Sequence, residues 1–291
     1  MNKNIITNIV VTLVIVIFVQ LVWPHDKTTT VSTTEAKKEE SVLERIKRTG
    51  TIRCGYLLWP LFFDLDPNTK QLTGLYKDFT DTVAGLAGWK VEYVQLVAGS
   101  EITDLKSGHV DAMCGYGPWY MNSIKEVNFT RPLAYASAYM YGRIDETRFK
   151  SLDDINNQNF KLIGIDGDVS TDLAQRLYPK AKLQALPGIS DGAATLLSVA
   201  TGKADATITD PLTVAGFNKN NSNKIKSLFP NQPIATYGME FGVNKGETEL
   251  LQTLDMYSDM ALNLNMIDPI LKKYDPDGSI FLPVIRPYQI K

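Results

Sequence analysis

From Val42 onward the sequence predicts an α/β protein of two lobes, each an open, mostly parallel sheet flanked by helices. Three observations predict it. Short β-like runs alternate with segments of helical periodicity, the alternation starts again near residue 160, and each repeat spans roughly a hundred residues, the size of a small α/β unit. Strands separated by helices pair in parallel through right-handed crossovers, and two such units place a ligand cleft at the carboxyl ends of their strands.

In chain order, residues 42–49 read as a polar helix and Thr51–Tyr56 as the first strand. Leu75, Phe79, Val83, Leu86 and Ala87 recur at helical spacing between Gly74 and Gly88. Lys90–Leu96 alternates as a strand, Glu101–Ser107 is a short helix, and Val110–Cys114 is a third strand. In the second unit, strands at Phe160–Ile165, Lys182–Ala185 and Ala204–Thr209 enclose helices at Thr171–Leu177 and Asp191–Thr201. Glu247–Tyr274 is a helical tail whose stripe of Leu250, Leu251, Leu254, Tyr257, Met260, Ala261 and Leu264 is expected to pack into the core.

Composition narrows the function. The 291 residues carry 30 Lys+Arg against 32 Asp+Glu, so the net charge of −2 gives no electrostatic reason to bind nucleic acid, and none is expected as a partner. Two cysteines exclude a disulfide-dense scaffold and a four-cysteine zinc site. With His25 and His109 as the two histidines, a His-rich metal site or a Ser-His-Asp triad is disfavoured. No metal and no cofactor are expected.

The first 41 residues differ from the body. Ile5–Trp23 is a nearly unbroken apolar run, and 19 residues reach roughly 28 Å as a helix, close to a bilayer's hydrocarbon thickness. It reads as a membrane anchor, with a cleaved signal segment or a buried soluble helix as alternatives; the absence of an A-x-A pattern after Val22-Trp23-Pro24-His25 favours the anchor. Lys3 then places residues 1–4 in the cytoplasm and the body outside. Residues 24–41, with five threonines and two serines, form a flexible linker.

The order of motifs resembles the bacterial extracellular solute-binding proteins of family 3, which serve polar amino-acid ABC importers. Leu43-Glu-Arg-Ile-Lys47 with Gly50-Thr-Ile-Arg-Cys-Gly55 is similar to the family's opening helix and strand. Gly74-Leu-Tyr-Lys-Asp78 resembles its G-F-x-x-D step, Leu105-Lys-Ser-Gly108-His-Val-Asp111-Ala112 its L-x-x-G-x-x-D-A turn, and Val127-Asn-Phe129-Thr130-Arg-Pro132 the strand leading to the hinge. In the second unit Ser151-Leu-Asp-Asp154, Leu162-Ile-Gly-Ile165 and Thr201-Gly-Lys203-Ala-Asp205-Ala206 with Asp210 follow in the family's order. The resemblance implies a two-lobe periplasmic-binding-protein-like fold (type II) with two hinge strands, no enzymatic activity, and lobes at 42–139 with 243–291 and at 140–242. It also implies a small-molecule ligand, an ABC permease partner in the inner membrane, a periplasmic or other extracytoplasmic location, and a monomer.

The family commonly grips an amino acid with an Arg in a G-x-S-x-T-x-x-R segment, whose guanidinium forks onto the α-carboxylate, and with an Asp for the α-ammonium. Here that segment reads Gly115-Tyr-Gly-Pro-Trp119-Tyr-Met-Asn122-Ser123, so Asn122 or Ser123 stands where Arg is expected, while Asp210 occupies the ammonium position. Tyr56, Trp59, Phe62, Phe63, Tyr116, Trp119 and Tyr120 are dense around the expected cleft, and aromatic faces attract cations. The expected contacts are Trp59, Phe62, Tyr116, Trp119, Asn122, Ser170, Thr171 and Asp210, with a cationic or amine-bearing solute as ligand. The rival within the family is an amino acid held by a relocated Arg131 or Arg143. Phe62, Phe63 and Tyr120 read equally well as lobe core; Asp210 before Pro211 also fits a helix N-cap. Ser170 and Thr171 fit either polar contacts or N-capping.

Cys54 and Cys114 fall near the ends of strands that should be neighbours. Either a disulfide or two separate buried thiols is compatible with the sequence, and adjacent parallel strands rarely offer good bridge geometry. Two further function classes stay open. One is a membrane-tethered sensory or accessory binding protein; the other is an enzyme of cyclohexadienyl dehydratase type, with Glu101 or Glu240 as its acid.

Overall fold

The computed structural model describes residues 40–59, 61–116 and 125–286, all within one compact unit that begins at Glu40. The expected anchor, the linker up to Glu39, Trp119 and Asn122 lie outside the described residues. Among the described residues no helix is long and apolar enough to cross a membrane.

The first half runs α1 (Val42–Thr49), β1 (Thr51–Tyr56), a small hairpin of β2 (Asp64–Leu65) and β3 (Leu72–Thr73), α2 (Leu75–Leu86), β4 (Lys90–Gln95), α3 (Glu101–Lys106) and β5 (Ala112–Tyr116). After β6 (Val127–Phe129), the long strand β7 (Ala134–Arg143) enters the second half. There follow β8 (Lys161–Ile165), α4 (Val169–Leu177), β9 (Lys182–Leu186), α5 (Gly192–Ala200), β10 (Ala206–Thr209), α6 (Pro211–Asn220) and β11 (Ile225–Ser227). The second long strand, β12 (Ala235–Asn244), returns to the first half and leads to α7 (Thr248–Asn263), α8 (Ile267–Tyr274) and β13 (Phe281–Pro283). The expected helical tail is thus two helices, parted by a turn in which Asn265 has φ 56°.

Sheet order is β4-β1-β5-β12-β7-β10-β8-β9. Each half contributes a parallel set, β4-β1-β5 and β10-β8-β9. The two sets join through the long strands, which pair antiparallel from Ala235 opposite Ala138 to Met239 opposite Ala134. The molecule is therefore a two-lobe fold of the type II periplasmic-binding class, with β7 and β12 as connecting strands.

Local chemistry explains why these segments form. A capping box starts α1: the Ser41 hydroxyl accepts from the Glu44 amide at 3.2 Å, and the Ser41 amide donates to Glu44 at 2.8 Å. Gly50 ends it with φ 68°. On α2 the inward face, Leu75, Tyr76, Phe79 and Val83, is buried under the sheet. Gly115 has φ 85°, and a Cβ there would collide with the Tyr76 ring, so the end of β5 can lie directly on α2.

The two G-x-x-D-A turns do the same job in each half. Asp111, with a fully buried side chain, accepts the Arg53 amide at 2.7 Å and ion-pairs with the guanidinium groups of Arg53 and Arg45. Asp205 accepts the Lys161 amide at 2.8 Å and the Arg148 guanidinium at 2.5 Å. Each aspartate thereby pins the start of one strand to its parallel neighbour, satisfying an amide at the sheet's lower edge.

Cys54 and Cys114 form a disulfide with Cα atoms 5.6 Å apart. Cys54 sits opposite Ala112, so its partner lies two residues farther along β5, on the same face. That diagonal placement supplies the Cα distance a bridge needs. Closing a loop with a sequence separation of 60, the bridge contributes about 2–4 kcal/mol. Replacing both residues, Cys54→Ala with Cys114→Ala, should lower urea-unfolding stability by that amount; an unchanged midpoint would contradict the assignment.

Candidate functional site

Parallel strands β8 and β10 are neighbours, so the helices that follow them, α4 and α6, begin side by side at the strand carboxyl ends. Each helix is capped by an aspartate. Asp210 caps α6: Oδ1 accepts the Thr213 amide at 2.8 Å, and Oδ2 accepts the Thr213 hydroxyl at 2.5 Å. Pro211 follows at the first helical position. Asp168 caps α4, accepting the Ser170 amide at 2.7 Å.

Asp210 is 2% exposed. Burial pushes its carboxyl above the usual carboxylate range, against the opposing effect of the two Thr213 bonds. Asp168 is pushed up for the same first reason, with the Asp210 charge adding to it. Two neighbouring carboxylates therefore meet at the carboxyl end of the second half's sheet. Tyr237 from β12 and Tyr141 from β7 border them: burial raises both phenols, and the Asp168 and Asp210 charges respectively add to the rise.

A residue of the first half reaches this corner. The indole N–H of Trp59 donates to the Thr213 hydroxyl at 3.0 Å. A chain of two hydrogen bonds thus runs from Trp59 through Thr213 to Asp210, across the two halves. Trp59 is held by a backbone bridge to Phe63, with N–H to carbonyl distances of 2.9 and 2.8 Å in the two directions.

The cationic side of the ledger is equally definite. The chain's eight arginines all face carboxylates of their own fold. Arg45 and Arg53 meet Asp111, Arg48 meets Glu40, Arg176 meets Asp172, and Arg286 meets Asp268. Arg148 binds Glu146 and Asp205. Arg131, 61% exposed, pairs with Asp259 on α7 at 2.6 Å, and its amide donates to Asp255. Arg143 faces Asp145 and Glu146. Arg131 and Arg143, the two candidates for a relocated carboxylate clamp, are thus both engaged in ion pairs.

Other expectations need correction. Phe62, Phe63 and Tyr56 belong to the core of the first half. Phe62 is 1% exposed, with ring centroids 4.6 Å from Trp59 and 5.1 Å from Tyr76. Phe63 stacks 5.0 Å from Tyr56. Packing of this kind stabilises a lobe and leaves no ring face for a solute. Thr171 turns its hydroxyl to the Ile165 and Asp168 carbonyls at 2.8 and 2.7 Å, and Ser170 is buried beneath Gly164. Neither one is the N-cap; Asp168 is. Tyr116 closes β5 opposite Glu240. Asp168, Thr213 and Tyr237 were not picked out from the sequence as contacts. An Asp immediately before an amphipathic run was the available signal for the first.

The class that this fold defines is a two-lobe solute-binding protein. The chain belongs to the bacterial extracellular solute-binding proteins, family 3, which it matches over residues 52–275. No curated protein matches it. Among solved structures it is similar to an ancestral amino acid-binding protein, a precursor of cyclohexadienyl dehydratase, at 26% identity and TM-score 0.67, covering 80% of this chain and 99% of that one. A Wolinella succinogenes protein, described as a binding component of an ABC transporter and complexed with lysine, is 21% identical with TM-score 0.67, covering 77% and 95%. The periplasmic VFT2 domain of Bordetella pertussis BvgS is 18% identical with TM-score 0.68, covering 80% and 96%.

Asp210→Asn keeps the cap, since Asn caps helices as well as Asp, and removes a buried charge. A carboxyl raised in the folded state costs stability progressively as pH climbs from its unfolded pKa toward its folded one. The variant should therefore melt a few degrees higher than the parent at pH 7.5, the scale of ~1 kcal/mol, with the gain vanishing near pH 3.5. A lower melting temperature at pH 7.5 would contradict the burial of an ionised Asp210.

Proposed function

We propose that this protein captures a small cationic or amine-bearing solute between two closing lobes, 42–139 with 243–291 and 140–242, and delivers it to an ABC importer. The observation that carries this reading is the pair of neighbouring carboxylates, Asp168 and Asp210, in a chain whose arginines are all engaged elsewhere. The buried Asp210 carboxyl and the half-buried Asp168 beside it are both pushed toward the neutral form, and a solute cation would restore their charge through Coulomb attraction and charge-assisted hydrogen bonds. An α-carboxylate meets no such partner there.

Trp59 closes over the solute, exchanging or extending its bond to Thr213. Asp210 and Asp168 receive the cation. Tyr116, Trp119 and Asn122 complete the wall from the first lobe, with Ser170 and Thr171 shaping the turn beneath Asp168. The lysine complex of the Wolinella protein is consistent with a ligand carrying a side-chain ammonium. Ile5–Trp23 tethers the body to the outer face of the cytoplasmic membrane through residues 24–41, and the protein acts as a monomer.

Thermal-shift measurements on the full chain in detergent test the charge preference. With 1,4-diaminobutane, lysine, arginine, alanine and glutamate as probes, the melting temperature should rise with the first three and not with the last two. At a concentration of 100 times Kd the rise corresponds to about 2.7 kcal/mol, and Asp210→Asn should abolish it. Stabilisation by alanine or glutamate alone would contradict the reading.

A further inference from the structure

Glu240 lies where a connecting strand changes partners. Ala235–Met239 of β12 pair with β7, whereas the residues from Phe241 onward pair with β5 and β6, and the ladder slips between Glu240 and Phe241. Such a bulge lets a strand bend and re-aim its side chains. The Glu240 carboxylate folds back along its own strand and rests on Gly238, where any Cβ would collide with Oε1. The space around Glu240 is lined by Tyr76 and Phe79 of α2, Gly115 of β5, and Leu133, Met239 and Phe241.

Nothing around this carboxylate favours its charge. Among the described residues no hydrogen bond reaches it, and its nearest charge is another anion, Asp255 of α7. Arg131 binds Asp259 with its guanidinium at 2.6 Å, keeps its Nε 3.9 Å from Asp255, and donates its backbone amide to Asp255. Among the described residues, the titratable groups on the other packed elements are phenols: Tyr76 on α2 and Tyr135, opposite Gly238, on β7. Burial first, and Asp255 second, lift the Glu240 carboxyl to about 7.

Bending between the lobes must move Gly238 relative to Glu240, because the strand's two pairing segments meet there. The carboxyl is packed here, and a bend at the slip would admit water to it. We propose that Glu240 is a proton-linked hinge residue, protonated while the lobes are closed and ionised, releasing its proton to water, as they open. Alkaline conditions then favour opening and acidic conditions favour closure, because closure takes up a proton. The inference rests on the lobes closing about β7 and β12, and it is independent of the solute's charge.

The test is electron–electron distance spectroscopy on the full chain in detergent, without solute, spin-labelled at Asn68→Cys in the β2–β3 turn and Asn220→Cys at the end of α6. The closed population should fall severalfold between pH 6 and pH 8.5, with a midpoint near neutrality. Glu240→Gln should keep the pH 6 distribution throughout, and Asp255→Asn, which removes the anion that helps to raise the Glu240 carboxyl, should move the midpoint to lower pH. Two populations in a pH-independent ratio would overturn the proton link alone. A single invariant distance in all variants would overturn the closing of the lobes with it.

Discussion

The constraint on which the rest of the structure depends is the burial of Asp210. A carboxylate with 2% exposure is expensive unless something answers its charge. Thr213 answers in part, through its amide and hydroxyl, and the same contacts start α6. The remaining demand is what makes this corner the proposed site. Asp168 increases it from the neighbouring helix, and the bond arriving from Trp59 in the opposite half ends on Thr213 rather than on the carboxylate itself. The corner is thus closed mechanically while its charge stays unmatched by any arginine.

The scaffold serves to bring these groups together. Parallel pairing of β8 with β10 sets two helix starts side by side, and Asp205 fixes the register of that pair from the opposite edge. In the first half Asp111 and the Cys54–Cys114 bridge hold β1 and β5 together from both ends of the pairing. Each lobe is in this way made rigid near the cleft. Among the described residues the long antiparallel pair of β7 and β12 is what joins the two parallel sets in the sheet, which makes it the place where a bend between them would fall.

Much of the fold was legible in the sequence because periodicity and punctuation agreed. The strand at Thr51–Tyr56 and the helix at Gly74–Gly88 stand close to where their apolar spacing put them, and the repeated G-x-x-D-A turn marked the same strand start in both halves. The antiparallel joining strands were less visible, since their burial alternates little and their pairing is long-range. Of the candidate site, the missing arginine was readable from Asn122 and Ser123 alone, and Asp210 from its motif. The aromatic residues misled: Phe62 and Phe63 have the composition of a binding cage, but nothing in a one-dimensional pattern separates a ring facing solute from a ring facing Tyr76. Asp168 was hidden for a different reason, because its neighbours Ser170 and Thr171 are equally credible caps until the turn is built.

On the proposed function, the scarcity of histidine and the engaged arginines acquire one meaning together: selectivity would lie in carboxylates and an indole. The most direct test is mass spectrometry of small molecules released by denaturing the protein purified under native conditions. The account predicts a released solute with at least one cationic group beyond any that an α-carboxylate neutralises, and so a net positive charge at pH 7. A neutral zwitterion or an anion, released in stoichiometric amount, would contradict it.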